Sequence, residues 1–263
     1  MHKISVPTNG ERWVIVHFHI FKNAGTTVED VLRRNFGDLH RTYDLPEPTG
    51  KIGNEEVLRF LDEAQPLAAL SSHQISYPIF CGPALRIYSL LFLRHPIDRI
   101  ASGLRYSFQR MAYEEPLRYA EYSNLGDYMR RSVDGGICDN FQVYLLSRST
   151  ILNLGMPDAS WEVRRDIAIE NIVKSEFFGL VERFDESLLL MKRYIGIVYP
   201  DFKCDYERQN TSNEQPSLPL RLAQFEELVG RERMGRLTAE NQFDLALFEF
   251  ATKVFEQRLV GNS

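Results

Sequence analysis

Apolar runs and amphipathic stretches alternate along the chain. Residues 12–21 (RWVIVHFHIF) are almost continuously apolar, which predicts a buried strand. The turn Lys22-Asn23-Ala24-Gly25-Thr26-Thr27 follows. Val28, Val31, Leu32 and Phe36 then recur at helical spacing and predict a helix over 26–36. Gly37, Pro46, Pro48, Gly50 and Gly53 mark 37–54 as a loop. A short helix is expected over 55–64, before Pro66, and a short strand with its exit loop over 67–80. Residues 86–93 (RIYSLLFL), bounded by Pro83 and Pro96, form the clearest second strand. Pro96 suits the first turn of a helix over 97–111, with Ile97, Ile100, Ala101 and Leu104 on one face. Residues 114–136 read as polar and irregular with helical stretches. Helices are expected over 137–148, 161–175 and 184–196, a strand over 177–181, a polar loop over 203–219 and an apolar amphipathic helix over 239–259. There is no internal repeat. Strands alternating with helices predict an α/β fold: a parallel central sheet flanked by helices.

Composition narrows the function class. The 263 residues suit one large α/β domain, or at most two small ones, and 44% apolar content is ordinary. A net charge of −5 argues against a general nucleic-acid binder, although a local basic pocket can still hold an anion. Cys81, Cys138 and Cys204 lie far apart, with no CxxC pair, which fits a reducing compartment rather than a disulfide framework or a zinc site. The start MHKISVPTNGERW lacks the apolar core of a secretory signal. The run 14–21 is too short to span a bilayer and contains two histidines. A chain without a membrane segment is expected, unless an anchor was removed from it.

Two segments carry candidate chemistry. A strand, tight turn and helix present backbone N–H groups and partial positive charge at the helix start, which suits an anion. Lys22 adds a full charge and Thr26 and Thr27 add hydroxyls, so 22–27 reads as a phosphate-binding loop. It is not a Walker A sequence, since Lys22 precedes Gly25 instead of following a glycine. Its plain alternative is a capped turn. The second segment is Arg94-His-Pro-Ile-Asp-Arg-Ile-Ala-Ser102, at the carboxyl end of a strand, where open α/β sheets bind ligands. Arg94 and the Ser102 hydroxyl, about two helical turns apart, suit a phosphate monoester. The plain alternative for Arg94 is an ion pair with Asp98.

Both segments resemble those of the sulfotransferases that use 3′-phosphoadenosine 5′-phosphosulfate. HIFKNAGTT (19–27) resembles their 5′-phosphosulfate loop, HIPKTAGTT-like, and LFLRHPIDRIASGLRY (91–106) resembles their 3′-phosphate segment, LRDPVERxLSxYxY. The Arg-to-Ser spacing is kept. ALSSHQISY, DNFQVYLLS, FFGLVERFDESLLLMKRYIG and the closing ENQFDLALFEFATKVF resemble further stretches in order, so the likeness covers about 13–256. The branch is that of heparan sulfate 2-O- and chondroitin or carbohydrate sulfotransferases. The resemblance implies a single sulfotransferase domain over 1–263 with the P-loop nucleotide-kinase-like fold. It implies that Lys22, Asn23, Ala24, Gly25, Thr26 and Thr27 hold the 5′-phosphosulfate, and that Arg94 and Ser102 hold the 3′-phosphate. Lys22 would also stabilise charge developing on the leaving phosphate. Phe21 and Asn23 depart from the usual Pro and Thr, and His95 from the usual Asp.

Sulfuryl transfer shares its physics with phosphoryl transfer, so positioning and fixed positive groups should dominate, without a metal. The resemblance implies transfer of the sulfuryl group to a hydroxyl or amine acceptor on a carbohydrate, and a neutral hydroxyl acceptor needs a base. His73 aligns with a histidine of the carbohydrate branch and titrates near working pH, with a hydrogen-bonded structural histidine as its plain reading. Glu29 is the second candidate base, with plain helix-start electrostatics as its alternative. His17 and His19, within the strand, read as packing residues. For an acceptor glycan the candidates are Arg99, Arg105, Arg110, Arg118, Arg130 and Arg131, set against an ordinary solvated face. Tyr106, Tyr113, Tyr119 and Tyr122 are candidates for sugar stacking, and Asn140 and Gln142 for polar contacts. The competing readings are a P-loop-like kinase needing ATP and Mg²⁺, and a nucleotide-binding protein without catalysis. A cytoplasmic, bacterial-type enzyme is expected; the alternative is a Golgi luminal domain lacking its anchor.

Overall fold

The computed structural model describes residues 12–137, 139–205 and 217–260. The chain start, Cys138 and most of the expected 203–219 loop lie outside the described residues. The strands are β1 (Arg12–Phe18), β2 (His40–Thr42), β3 (Ala69–Ser72), β4 (Leu85–Leu93) and β5 (Gly179–Leu180), all parallel in the order β2-β3-β1-β4-β5. The helices are α1 (Gly25–Phe36), α2 (Asn54–Glu63), α3 (Pro96–Glu114), the short α4 (Pro116–Tyr119), α5 (Leu125–Asp134), α6 (Phe141–Asn153), α7 (Trp161–Lys174), α8 (Phe184–Gly196), α9 (Leu218–Val229), α10 (Arg231–Glu240) and α11 (Gln242–Val260). The expected α/β architecture is observed. Strands β1 and β4 read as continuous apolar runs because both faces of a parallel sheet are covered. Their Val14, Val16, Leu90, Leu91 and Leu93 are fully buried with Val28, Val31 and Leu32 of α1. A second apolar cluster joins α3, α5, α9 and α10 through Ile97, Met129, Val133, Phe225, Val229 and Leu237.

The sheet order fixes where a ligand can enter. From β1 the chain crosses to β2 on one side of the sheet. From β4 it leads to β5 on the other. The carboxyl ends of β1 and β4 therefore flank the point where connections diverge, the usual ligand crevice of such sheets. Lys22 follows β1 there, and Arg94 follows β4.

Several expectations change. β2 falls inside the expected 37–54 loop; it is three residues long and only partly covered, so no apolar pattern announces it. β1 ends at Phe18, and 21–24 form the turn. The irregular 114–136 stretch contains the regular helix α5, whose start Asn124 caps through its side chain to the Asp127 N–H. Helix α9 begins inside the expected 203–219 loop, and no element is expected over 220–238, where most of α9 and α10 lies. Helix α9 is largely apolar and buries Phe225 and Val229, and the highly charged α10 buries Leu237.

Asn140 and Gln142 do not serve as acceptor contacts, because both are buried and used within the fold. Asn140, in left-handed conformation at φ 49°, accepts from the Phe243 and Asp244 N–H groups at the start of α11. Asp244 returns the bonds, accepting from the Gln142 and Val143 N–H groups at 3.0 and 2.7 Å. Two helix starts thus cap each other in the interior. The Gln142 side chain then reaches the sheet. Its Nε2 donates to the Arg94 carbonyl (2.9 Å), and its Oε1 accepts from the Arg94 N–H (3.1 Å) and from Asn23 Nδ2 (2.8 Å).

Gln142→Leu keeps the volume but strands these buried partners. It is expected to lower unfolding stability by roughly 2–5 kcal/mol, read as a fall in denaturant midpoint at constant m-value. A loss within experimental error would show that the network does not hold the fold.

Candidate active site

The loop after β1 is bent by two non-glycine residues in left-handed conformation, Lys22 (φ 65°) and Ala24 (φ 60°). Such geometry costs roughly 1–3 kcal/mol per residue and persists only where the surroundings impose it. Asn23, between them, supplies the constraint. Its side chain is buried and donates to the Phe92 carbonyl (2.7 Å) and to Gln142 (2.8 Å). Its backbone N–H is bonded to the Ile20 carbonyl. The Asn23 side chain and N–H are thus engaged within the fold, where they anchor the loop. Ala24 precedes α1 and sets its entry. The N–H groups of Gly25 and Thr26 find no partner among the described residues, and the first turn of α1 holds no acidic side chain. Thr26 is exposed and Thr27 half-buried beside these donors.

Lys22 completes the positive end. Its ammonium lies over the Tyr106 ring at 4.4 Å and the Phe21 ring at 5.9 Å, and it pairs with no carboxylate among the described residues. Burial, and then the charge of Arg94, hold its pKa below the ordinary lysine value. A half-buried ammonium facing only rings is short of an anion. Phe21 sits edge-on to Tyr106 at 5.8 Å, so the residue in the usual proline position helps form the lysine's aromatic seat.

Arg94 meets both readings of its sequence. Nε and Nη2 lie 2.8 Å from Asp98, and Nη1 donates to the Lys22 carbonyl at 2.8 Å. Of five guanidinium N–H donors, two remain. The Asp98 pair fixes the fork, and the Lys22 bond joins the two motifs directly. Asp98, buried, also binds Arg221 at 3.0 and 2.9 Å. Burial raises the Asp98 pKa, but Arg221 and Arg94 overcome it and hold the group below its ordinary value. Arg221 lies on α9 and carried no motif; only the packing of α9 against α3 brings it in. Ser102 is half-exposed, and its hydroxyl has no partner among the described residues. Its neighbour Gly103 abuts the loop, where an added Cβ would meet Phe21 at 3.5 Å and the Lys22 side chain at 4.0 Å. His95 turns the other way: its N–H donates to Glu182 and its ring packs edge-on to Phe248.

On the other side of the loop stands a histidine cluster. His73, exposed just past β3, presents Nδ1 to the His19 carbonyl at 2.9 Å. A carbonyl only accepts, so Nδ1 carries the hydrogen and the neutral ring keeps its lone pair on Nε2. The His73 backbone N–H donates to Asp44 at 2.8 Å. Desolvation, followed by the charge of His19, lowers the His73 pKa, which favours the neutral ring. Glu29, on α1, lies 3.4 Å from His19, and hydrogen bonding from His19 lowers its pKa. A carboxylate so engaged is a weaker base than the free imidazole edge of His73. His19 is a correction: it is not mere strand packing but sits between Gly25, Glu29 and His73. Only the close approach of β1 and β3 brings these together. His17 and His40 share the Ser71 hydroxyl at 3.1 and 2.9 Å. Among the described residues no group of three or more His, Cys, Asp or Glu side chains is placed to hold a metal ion.

The arginines proposed for an anionic glycan are mostly committed elsewhere. Arg110 pairs with Glu114, Arg118 with Glu115 and Arg131 with Asp127, while Arg130 donates to the Leu228 carbonyl. Arg99 is buried against Phe141, and Arg105 stands near the Asp98 cluster. Tyr119 and Tyr122 pack with Phe108 and Tyr128 in the second core. Tyr113 is exposed, and Tyr106 seats Lys22.

A family model, described as the sulfotransferase family, matches residues 9–251. The chain belongs to the sulfotransferase family. A protein of Archaeoglobus fulgidus described as uncharacterized is 26% identical over 94% of this chain and 98% of its own length. The matched span of this sulfotransferase-family chain contains the loop, Arg94, Ser102 and the histidine cluster. Among its described residues no helix is long and apolar enough to cross a membrane.

The histidines also set acid stability. His17, His40, His73 and His95 are all held below 6.5, each first by burial. Folded pKa values below the unfolded ones leave stability intact above about 6.5 and erode it as pH falls through that value, since the unfolded chain takes up protons first. For buried His17 the loss is about 1.4 kcal/mol per pH unit. Denaturant unfolding at pH 7.5 and 5.0 should show this loss, reduced in His17→Gln. Equal pH slopes in the two proteins would remove His17 from the account.

Proposed function

We propose that this chain transfers a sulfuryl group from 3′-phosphoadenosine 5′-phosphosulfate to a hydroxyl group, on a carbohydrate acceptor, with His73 as the base. The observation that carries the reading is the hydrogen bond from Arg94 to the Lys22 carbonyl, 2.8 Å. It ties the segment resembling a 3′-phosphate site to the loop resembling a 5′-phosphosulfate site. The free N–H groups of Gly25 and Thr26, the Lys22 ammonium and the threonine hydroxyls fit an anionic phosphosulfate. The two remaining Arg94 donors and the Ser102 hydroxyl fit the 3′-phosphate. Position 26, where an ATP-binding loop would carry lysine after its glycine, is Thr26, so nothing favours a kinase.

In this reading Nε2 of His73 accepts the acceptor's proton as the acceptor oxygen bonds to sulfur. The bridging S–O bond breaks, its electron pair going to the leaving phosphate, and Lys22 and the α1 start stabilise the charge formed there. Fixed dipoles and a pre-seated lysine need little reorganisation during reaction. The acceptor side carries the carboxylates Glu29 and Asp44, so a hydroxyl on a neutral stretch of glycan suits it better than a polyanionic one.

Calorimetric titration with adenosine 3′,5′-bisphosphate, 5′-AMP and ATP tests the donor. The bisphosphate is expected to bind at least about tenfold more tightly than either alternative, a margin of roughly 1.4 kcal/mol, and Ser102→Ala and Arg94→Ala should each erode it. Because Arg94 also holds Lys22 and Asp98, Ser102→Ala is the cleaner variant. A preference for ATP, or no dependence on either residue, would sink the reading.

A further inference from the structure

His19 is held through both its backbone and its ring. Its N–H donates to the Ser72 carbonyl (2.8 Å), and its carbonyl accepts from His73 Nδ1 (2.9 Å). Its ring stacks on His73 with centroids 3.8 Å apart and planes 32° apart. Its Nδ1 faces Glu29 Oε2 at 3.4 Å. The ring also fills the space beside Gly25, where an added Cβ would lie 1.8 Å from His19 Cδ2. Residue 25 must therefore be glycine: no side chain fits between the phosphate-loop backbone and this imidazole.

We propose that His19, backed by Glu29, is the positioning residue that couples the donor loop to His73, holding the base in register with Gly25 and sharing the charge it takes up. The proposal rests on His73 acting as the base, as proposed above. One part of the argument is mechanical. The His19 ring abuts both Gly25 and the His73 ring, so a shift of the loop is passed to the base. The other part is electrostatic. Two like charges about 4 Å apart repel by about 4 kcal/mol at an effective dielectric constant near 20, so the stacked pair holds one proton, not two. The groups facing the pair decide whether it can hold that one. His17 of β1 has its ring 5.2 Å from that of His19, and His40 of β2 approaches through Ser71. Glu29 comes from α1, and Asp44, just past β2, through the His73 N–H. Arg33 of α1 is bound to Asp30. Two carboxylates thus face a stack whose neighbouring histidines are neutral, and one proton on it is compensated.

The experiment is a ¹⁵N-imidazole NMR titration of the full chain, with and without adenosine 3′,5′-bisphosphate, in wild type, Glu29→Gln and His19→Phe. His19→Asn replaces the last variant if it does not fold. Removing the Glu29 charge should lower the His73 midpoint, and removing the second imidazole should raise it, each by about half a pH unit or more. A purely structural role would move neither midpoint. A His73 midpoint unmoved in both variants, while the bisphosphate still binds, overturns the coupling and leaves the sulfotransferase reading standing. No binding of the bisphosphate to wild type overturns the donor reading itself, whatever the midpoints do.

Discussion

The functional end of this molecule hangs on the side-chain amide of Gln142. An amide can copy a peptide group, and here it pairs with both backbone atoms of Arg94 as a further strand residue would. The same oxygen receives Asn23, whose side chain holds the strained turn of the loop after β1. Asp244, in turn, holds the backbone that presents Gln142. The chain of bonds runs from α11 through α6 to the ends of β4 and β1. Asn23, Gln142 and Asp244 are buried, so their bonds act in a low dielectric and would be expensive to leave unmade. That is why a loop with two left-handed non-glycine residues can keep one conformation.

Around this anchor the crevice divides by charge. Lys22, Arg94, Arg105 and Arg221 gather on the β4 side, where Asp98 binds both Arg94 and Arg221. His17, His19, His40 and His73, with Glu29 and Asp44, gather on the β3 side. The first half suits a multiply charged donor. The second suits a group that gives up a proton. The start of α1 lies between them, so its unpaired N–H groups face the boundary where charge would develop during transfer. Membership of the sulfotransferase family agrees with this division, since such chemistry needs a fixed positive end and a base within reach of it.

Much of the positive side was legible in the chain. The loop, Arg94 and Ser102 sit at the ends of strands whose apolar runs are unambiguous, and the spacing from Arg94 to Ser102 is set by one helix. Asn23 and Gln142 were visible as polar residues, but their direction was not. A polar residue near a site looks the same in sequence whether it faces ligand or interior. His19 read as packing because a strand pattern assigns its last residue to the strand, whereas β1 ends at Phe18 and the chain has already turned. Arg221 had no local signal at all.

The sequence by itself determined the α/β class, the parallel sheet and the two motifs that follow β1 and β4, because each depends on periodicity or on residues close in the chain. Only the tertiary structure decided that Asn23, Arg94 and Gln142 form one network, that Arg221 shares Asp98, and that His19 stands between Gly25 and His73. These contacts join residues far apart in sequence, and no local pattern encodes them. They exist because the parallel order β3-β1-β4 sets three strand ends side by side, and because the packing of α6 and α9 brings a buried amide and a distant guanidinium to those ends.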